Sequence, residues 1–73
     1  MPITKDNVEE ICTYHPVKPD QIAKYEAINE ATKHLMKVIL DNTPVCADQQ
    51  SALRLCKQAK MEANSAIALG GMN

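Results

Sequence analysis

The sequence predicts an all-α fold, in which a short N-terminal helix precedes a long antiparallel αα-hairpin. Residues 20–41 and 48–69 each run without a helix-breaking residue and repeat apolar residues at helical spacing. The sequence "DNTP" ends the first stretch, and two helices of similar length joined by a short connection pack antiparallel. The 73 residues suffice for one small domain, so we expect residues 1–73 to form a single helical-hairpin unit.

The first helix is predicted over residues 6–13. Asp6 and Glu9 have the three-residue spacing of a capping box, which favours a helix start at this point. The face that this helix would bury consists of Val8, Ile11 and Cys12. The next six residues, "YHPVKP", are expected to be extended, because a residue that precedes proline disfavours the α-helical region.

Pro19 and Asp20 mark the start of the second helix, since proline suits the first turn and a carboxylate is stabilised at the positive end of the helix dipole. This helix carries two apolar stripes. The first consists of Ile22, Ile28, Leu35 and Ile39, with Tyr25 at its edge, and the second consists of Ala27, Ala31 and Val38.

The third helix opens at Asp48 and is predicted to end before the Gly70-Gly71 pair. Its apolar positions are Ala52, Leu53, Cys56, Ala59, Ala63, Ala66 and Ile67. Alanine buries little area, and at about 25 cal/mol per Å² such a seam does not offset the entropy of ordering two helices. The second stripe of the middle helix is therefore expected to face another protomer, which makes the protein a homo-oligomer.

Composition excludes several classes of protein. The formal net charge of −1 lacks the basic excess typical of domains that bind DNA or RNA. The sequence shows no signal peptide and no apolar run near the roughly 20 residues of a membrane span, so we expect a cytoplasmic protein with no membrane partner. Three cysteines without a C-x-x-C pair argue against disulfides, and neither histidine completes a zinc spacing, so no metal or cofactor is expected.

Catalytic chemistry is not predicted. The sequence contains no Ser/His/Asp or Cys/His constellation that suggests a nucleophile and its base. It also lacks a glycine-rich phosphate loop, because both glycines lie near the C-terminus. We therefore assign no catalytic residue.

Candidate ligand contacts lie in the linker and along the second helix. Tyr14 is presented on a segment stiffened by two prolines, which lowers the entropic cost of stacking a base on its ring. Lys18 lies in the same segment. Tyr25, Asn29 and Lys33 recur at i, i+4 and i+8, hence on one helix face, where they offer a ring, an amide and a cation.

The same residues also have purely structural interpretations. Tyr25 suits the edge of the helix seam, with its hydroxyl in solvent. Lys33 has the spacing to pair with Glu30 or Glu26, and an exposed pair of this kind contributes little. Tyr14 has the position of a side chain that packs the short helix onto the hairpin.

The order and spacing of these residues resemble the phage anti-CBASS cyclic-nucleotide sponge family, which is related to the Thoeris anti-defence hairpin domains. The matching elements, spread over residues 13–69, are Tyr14-His15-Pro16, Asp20-Gln21, Tyr25, Ile28 and the "ANSAIA" of residues 63–68. The resemblance implies a helical hairpin that assembles as a hexamer. It further implies sequestration, without cleavage, of cyclic di- and trinucleotides such as cGAMP in the cytosol of an infected bacterium, with Tyr14 stacking on a base.

The sequence departs from this family pattern at three positions. Asn29 occupies a position that is basic in the family, so Lys33 or Lys24 would have to meet the phosphate. Glu62 and Leu69 replace an aromatic and a basic residue, which favours cyclic dinucleotides over trinucleotides as ligands. The alternative function is a helical protein–protein interaction module, with no nucleotide ligand, that docks a partner through the second apolar stripe.

Overall fold

The computed structural model describes residues 2–71, and within them the chain is helical with no strand. The helix α1 spans Val8–Cys12, α2 spans Ile22–Asn42 and α3 spans Ala47–Ala68. The two long helices lie side by side and form the main contact of the fold. The predicted all-α hairpin is confirmed. Across residues 2–71, none of the helices combines the length and apolarity that a membrane span requires.

The start of α1 differs from the prediction. Its N-cap residue is Asn7, whose side chain makes no capping hydrogen bond, so the predicted Asp6–Glu9 capping box is wrong. The side-chain amide of Asn7 instead forms hydrogen bonds with residues that precede it in the chain. Its Oδ1 accepts a hydrogen bond from the Thr4 N–H at 2.8 Å, and its Nδ2 donates to the Pro2 carbonyl at 3.0 Å.

The linker after α1 is extended where it meets the second helix. Lys18 has φ −91° and ψ 150°, as expected for a residue before proline. A single 3₁₀ turn, Pro19–Gln21, then precedes α2, so that helix begins at Ile22 rather than at Asp20. The Gln21 side chain accepts a hydrogen bond from the Lys18 N–H at 3.1 Å, which satisfies a backbone donor at the entry to the helix.

Half-buried side chains define the seam between the two long helices. On α2 these are Tyr25, Ile28, Thr32, Met36 and Ile39, and on α3 they include Leu53, Cys56, Lys60, Ala63, Asn64 and Ile67. The stripe predicted for α2 is wrong at two positions, because Ile22 and Leu35 are 49% and 50% exposed. Thr32 and Met36 take their places. Thr32 is accommodated because its hydroxyl donates to the Ile28 carbonyl at 2.8 Å.

A glutamine at the start of each long helix binds the end of the other. Gln21 Nε2 donates to the Ile67 carbonyl in the last turn of α3, at 3.2 Å. Gln49, only 3% exposed, donates from Nε2 to the Thr43 carbonyl just beyond α2, also at 3.2 Å. Both acceptors lie at helix C-termini, where intrahelical donors run out. The two bonds tie the hairpin at both ends and fix the register between α2 and α3.

The hairpin buries very little apolar surface. Leu69, at 9% exposure, is the only apolar side chain of residues 2–71 that is classed as buried. The radius of gyration is 15.3 Å, compared with about 11 Å for a compact domain of this length. Side chains expected to be buried but found exposed are Val8 and Cys12 on α1 and Ala59 and Ala66 on α3.

One flank of the hairpin carries exposed apolar residues from both long helices, and we call it the apolar side. It consists of Ala27, Ala31, Leu35, Val38, Leu55 and Ala59. Helical spacing places Leu35 and Val38 on the opposite flank of α2 from Asn29 and Lys33. The apolar side thus contains the second stripe predicted for the middle helix, together with Leu35 from the first.

Replacing Gln49 with Ala should lower the free energy of unfolding by about 1–2 kcal/mol, because the Thr43 carbonyl loses the hydrogen bond that the buried Gln49 amide donates. In a chain of this size, each kcal/mol lowers the melting temperature by roughly 4–8 °C. Gln58→Ala is the matched control, since this exposed amide bonds only the Glu62 carboxylate, at 3.4 Å. Circular dichroism melts at one protein concentration measure both variants, and equal shifts would contradict the role assigned to Gln49.

Candidate ligand-binding site

Tyr14 projects from the linker and is 83% exposed. Next to it, His15 holds the linker to α1, since its Nε2 lies 2.8 Å from the Glu10 carbonyl oxygen and carries the hydrogen of that bond. The Thr13 hydroxyl adds a second bond, to the Glu9 carbonyl at 2.7 Å. The ring is therefore presented to solvent on an anchored backbone. The alternative in which Tyr14 packs α1 onto the hairpin is wrong.

Lys18 lines a small recess of about 200 Å³ between the linker and the C-terminal end of α3. Its other walls include Glu10, His15 and Gln21. The recess is below the roughly 300–1,000 Å³ of typical ligand pockets, and it contains a carboxylate that repels anions. Within one chain, the recess does not fit a nucleotide.

Tyr25 is half-buried in the seam, as its structural interpretation predicts. Its neighbours on the same helix face, Asn29 and Lys33, lie together in a groove whose lining does not include Tyr25. On α3, Asn64 is also half-buried, and its Oδ1 is buried without a hydrogen-bond partner among residues 2–71. The structure therefore brings together two of the three residues on the predicted face.

The groove that contains Asn29 and Lys33 runs between α2 and α3 and has a volume of about 380 Å³. We call it the lysine groove. Its lining consists of Asn29, Thr32, Lys33, Met36, Lys37, Leu40, Lys57 and Lys60. Four of the chain's eight basic residues line it, and none of its nine acidic residues does. A chain with a net charge of −1 thus concentrates positive charge on one flank, opposite the apolar side.

Three of the four groove lysines are available to bind an anion. Lys33 pairs with Glu30 at 3.1 Å, as the sequence allows, but both side chains are more than half exposed and the pair contributes little. In the described part of the chain, no ion pair engages Lys37, Lys57 or Lys60. Lys60 is half-buried and lines the groove as well.

Sequence reasoning missed the lysines at positions 37, 57 and 60. Lys37 continues the spacing of Asn29 and Lys33 by one further step of four, so the pattern itself contained this signal. Lys57 and Lys60 lie on another helix, and only the packing of α3 against α2 brings them to the same groove. Lys24, named from the sequence as a possible phosphate contact, does not line the groove.

The linker and the lysine groove are separate within one chain. Lys33 lies eleven residues after Ile22 on α2, which corresponds to about 16 Å of helix. His15 and Lys18 line the recess at the C-terminal end of α3, so the linker that carries Tyr14 lies at the end of the hairpin where α2 begins. A single chain therefore does not place the Tyr14 ring over the groove.

Comparison with known families agrees with this geometry. A model of the Acb2/Tad1 hairpin domain matches residues 4–68, which include all three helices. The chain belongs to the Acb2/Tad1 hairpin family. This family consists of anti-defence sponges, which are binding proteins and not a known family of enzymes. The resemblance to anti-CBASS sponges is thereby confirmed at the level of the family.

Two further comparisons found no relative. No curated protein matches the chain, and no solved structure matches it either. The family membership of this Acb2/Tad1 hairpin protein therefore rests on the family model and on the hairpin itself.

The two tyrosines should differ in access to solvent. In a Tyr25→Phe variant the remaining emission comes from Tyr14, and iodide should quench it several-fold more strongly than it quenches the Tyr25 emission of a Tyr14→Phe variant. The reason is the 83% exposure of Tyr14 against the half-buried position of Tyr25. Stern–Volmer titrations of dilute samples measure the ratio, and equal constants would contradict the placement of both rings.

Proposed function

We propose that the protein is a non-catalytic sponge that binds and sequesters cyclic dinucleotides such as cGAMP, with cyclic trinucleotides as a second ligand class. It would thereby block CBASS-type anti-phage signalling in the cytosol of an infected bacterial host. The observation that carries this proposal is the lysine groove in a member of an anti-defence sponge family. The groove offers what a nucleotide needs, namely cations for phosphate and apolar surface for a base.

The groove chemistry matches the two parts of a nucleotide. Lys33 and its neighbouring lysines suit phosphodiester oxygens, because hydrogen bonds between ions are stronger than neutral ones. Met36 and Leu40 supply apolar surface, and the Asn29 amide offers one donor and one acceptor to a base edge. The volume of about 380 Å³ lies within the range of small-ligand sites.

Tyr14 joins this site from a second copy of the chain in our proposal. Its exposed ring is a stacking surface, and its distance from its own groove leaves it free to reach the groove of a neighbour. A two-fold interface presents each residue twice, which suits the approximate two-fold symmetry of a cyclic dinucleotide. Lys18, on the same linker, would accompany Tyr14, and Tyr25 would support the seam beneath Asn29.

Assembly into a homo-oligomer is supported by the surface of the single chain. Leu35, Val38 and Leu55 on the apolar side are 50%, 41% and 62% exposed, which favours burial against another protomer. The elongated shape and near-absence of buried apolar side chains point the same way. The number of protomers that we expect, six, comes from the family resemblance.

Sequestration without cleavage suits the groups that line the groove. None of them is a carboxylate, a histidine or a thiol that would act as a general base or nucleophile. Among residues 2–71, no three potential metal ligands come together. Capture then depends on slow release rather than on a chemical step.

Capture and recovery of ligand tests the proposal. The purified protein is mixed with a panel of cyclic di- and trinucleotides, free ligand is measured by chromatography, and the protein is then denatured by heat. A sponge depletes the ligand on mixing and returns it intact. Linearised product would reveal an enzyme. No depletion with any nucleotide would instead favour the interaction module, whose docking surface would be the apolar side.

Replacing Tyr14 with Ala should weaken cyclic dinucleotide binding by about 5- to 150-fold, which corresponds to roughly 1–3 kcal/mol for the loss of one stacked base. Calorimetry measures the affinity, and sedimentation equilibrium should show an unchanged oligomer. Tyr25→Phe is the matched control, since it keeps the seam ring and removes only a hydroxyl. Unchanged affinity of the Tyr14→Ala variant would remove the stacking role.

Replacing Leu55 with Glu should dissociate the oligomer, because a charge on the apolar side cannot be buried between protomers without a partner. Sedimentation equilibrium measures the change, and ligand capture should fall with it. Val45→Glu is the control, since Val45 is 91% exposed on the connection between α2 and α3. An oligomer that persists in the Leu55→Glu variant would place the interface elsewhere.

A further inference from the structure

We infer that Lys57 and Lys60 of α3, together with Lys37 of α2, bind the phosphate groups of the ligand, and that Asn29 reads a base edge. This inference rests on the proposed function and deepens it. It assigns the phosphate contacts to residues that the sequence pattern alone did not select.

The four groove lysines differ in whether an acidic neighbour compensates their charge. Lys33 already has an acidic neighbour, Glu30, at 3.1 Å. Lys37, Lys57 and Lys60 line the same groove with no ion pair in the described chain, so their charge is uncompensated there. An anion that enters the groove gains most from these three.

The unpaired lysines of the groove come from both long helices. Lys57 and Lys60 are three residues apart on α3, hence neighbours on one helix face. Lys37 lines the same groove from α2. A phosphate group in the groove therefore meets lysines from both helices.

Asn29 is an uncharged polar residue in the lining of the lysine groove. An amide carries no charge, so at this position the chain offers an uncharged donor and acceptor within a basic groove. Met36 and Leu40 give the same groove apolar surface further along α2, beside Lys33 and Lys37. The groove thus offers cations for phosphate in Lys37, Lys57 and Lys60, and an uncharged donor and acceptor for a base edge in Asn29.

The main test compares two double variants that remove the same charge. Lys57→Gln/Lys60→Gln should weaken cyclic dinucleotide binding by about 100-fold, or roughly tenfold for each charge-assisted hydrogen bond. Lys5→Gln/Lys24→Gln, which removes two lysines outside the groove, should change affinity by less than about threefold. Calorimetry measures affinity, and circular dichroism with sedimentation verifies fold and assembly.

A second measurement uses the unaltered protein. Inorganic pyrophosphate is titrated into protein labelled with ¹³C-lysine, and NMR follows the side-chain signals. Shifts concentrated at Lys37, Lys57 and Lys60, with little change at Lys5 and Lys24, support the phosphate assignment. Equal shifts at all lysines would overturn it, since they would indicate general screening only.

The outcomes separate this inference from the sponge function. If wild type captures cyclic nucleotides and the Lys57→Gln/Lys60→Gln variant captures them equally well, the phosphate assignment is overturned while the sponge function stands. If wild type captures none, the sponge function fails, and the pyrophosphate shifts alone then decide whether the groove is a phosphate site.

Discussion

The architecture depends on the reciprocal bonds that two glutamines make across the ends of the hairpin. A seam whose side chains are only half-buried leaves the register of two helices weakly determined, because side chains that interlock only in part permit sliding. Gln21 and Gln49 remove this freedom by binding carbonyls at opposite ends, Ile67 and Thr43. The register that they set is what brings the lysines of α3 level with those of α2. The level at which the lysines of the two helices lie is therefore set by hydrogen bonds at the two ends of the hairpin.

Sequence patterns predicted the elements of this fold better than their boundaries and faces. The two long helices follow from unbroken apolar periodicity, which is a property of the local chain. The capping box at Asp6 was wrong because the Asn7 side chain had better partners upstream, a choice that spacing cannot reveal. The predicted seam stripe was wrong at Leu35 because this residue lies at the edge of the apolar face of α2. Spacing within one helix does not determine which edge of that face contacts α3.

The candidate site shows the same division. The sequence predicted that Asn29 and Lys33 share one face because they lie on one helix, and the structure places both in the lysine groove. Lys57 and Lys60 were missed because their relation to α2 is tertiary. In the proposed function, the site extends further still, since the ring and the groove belong to different copies. Such a site combines residues of two helices and two copies of the chain. The periodicity of one segment does not predict how these residues come together.

The groove lysines at positions 33, 37 and 57 are exposed, and the bonds that hold the hairpin together lie elsewhere. Surface positions of this kind accept substitution with little effect on folding. The charge pattern of the groove is therefore free to vary while the scaffold persists. In the proposed function, a few codon changes in this groove would therefore alter ligand preference without changing the helices that present it.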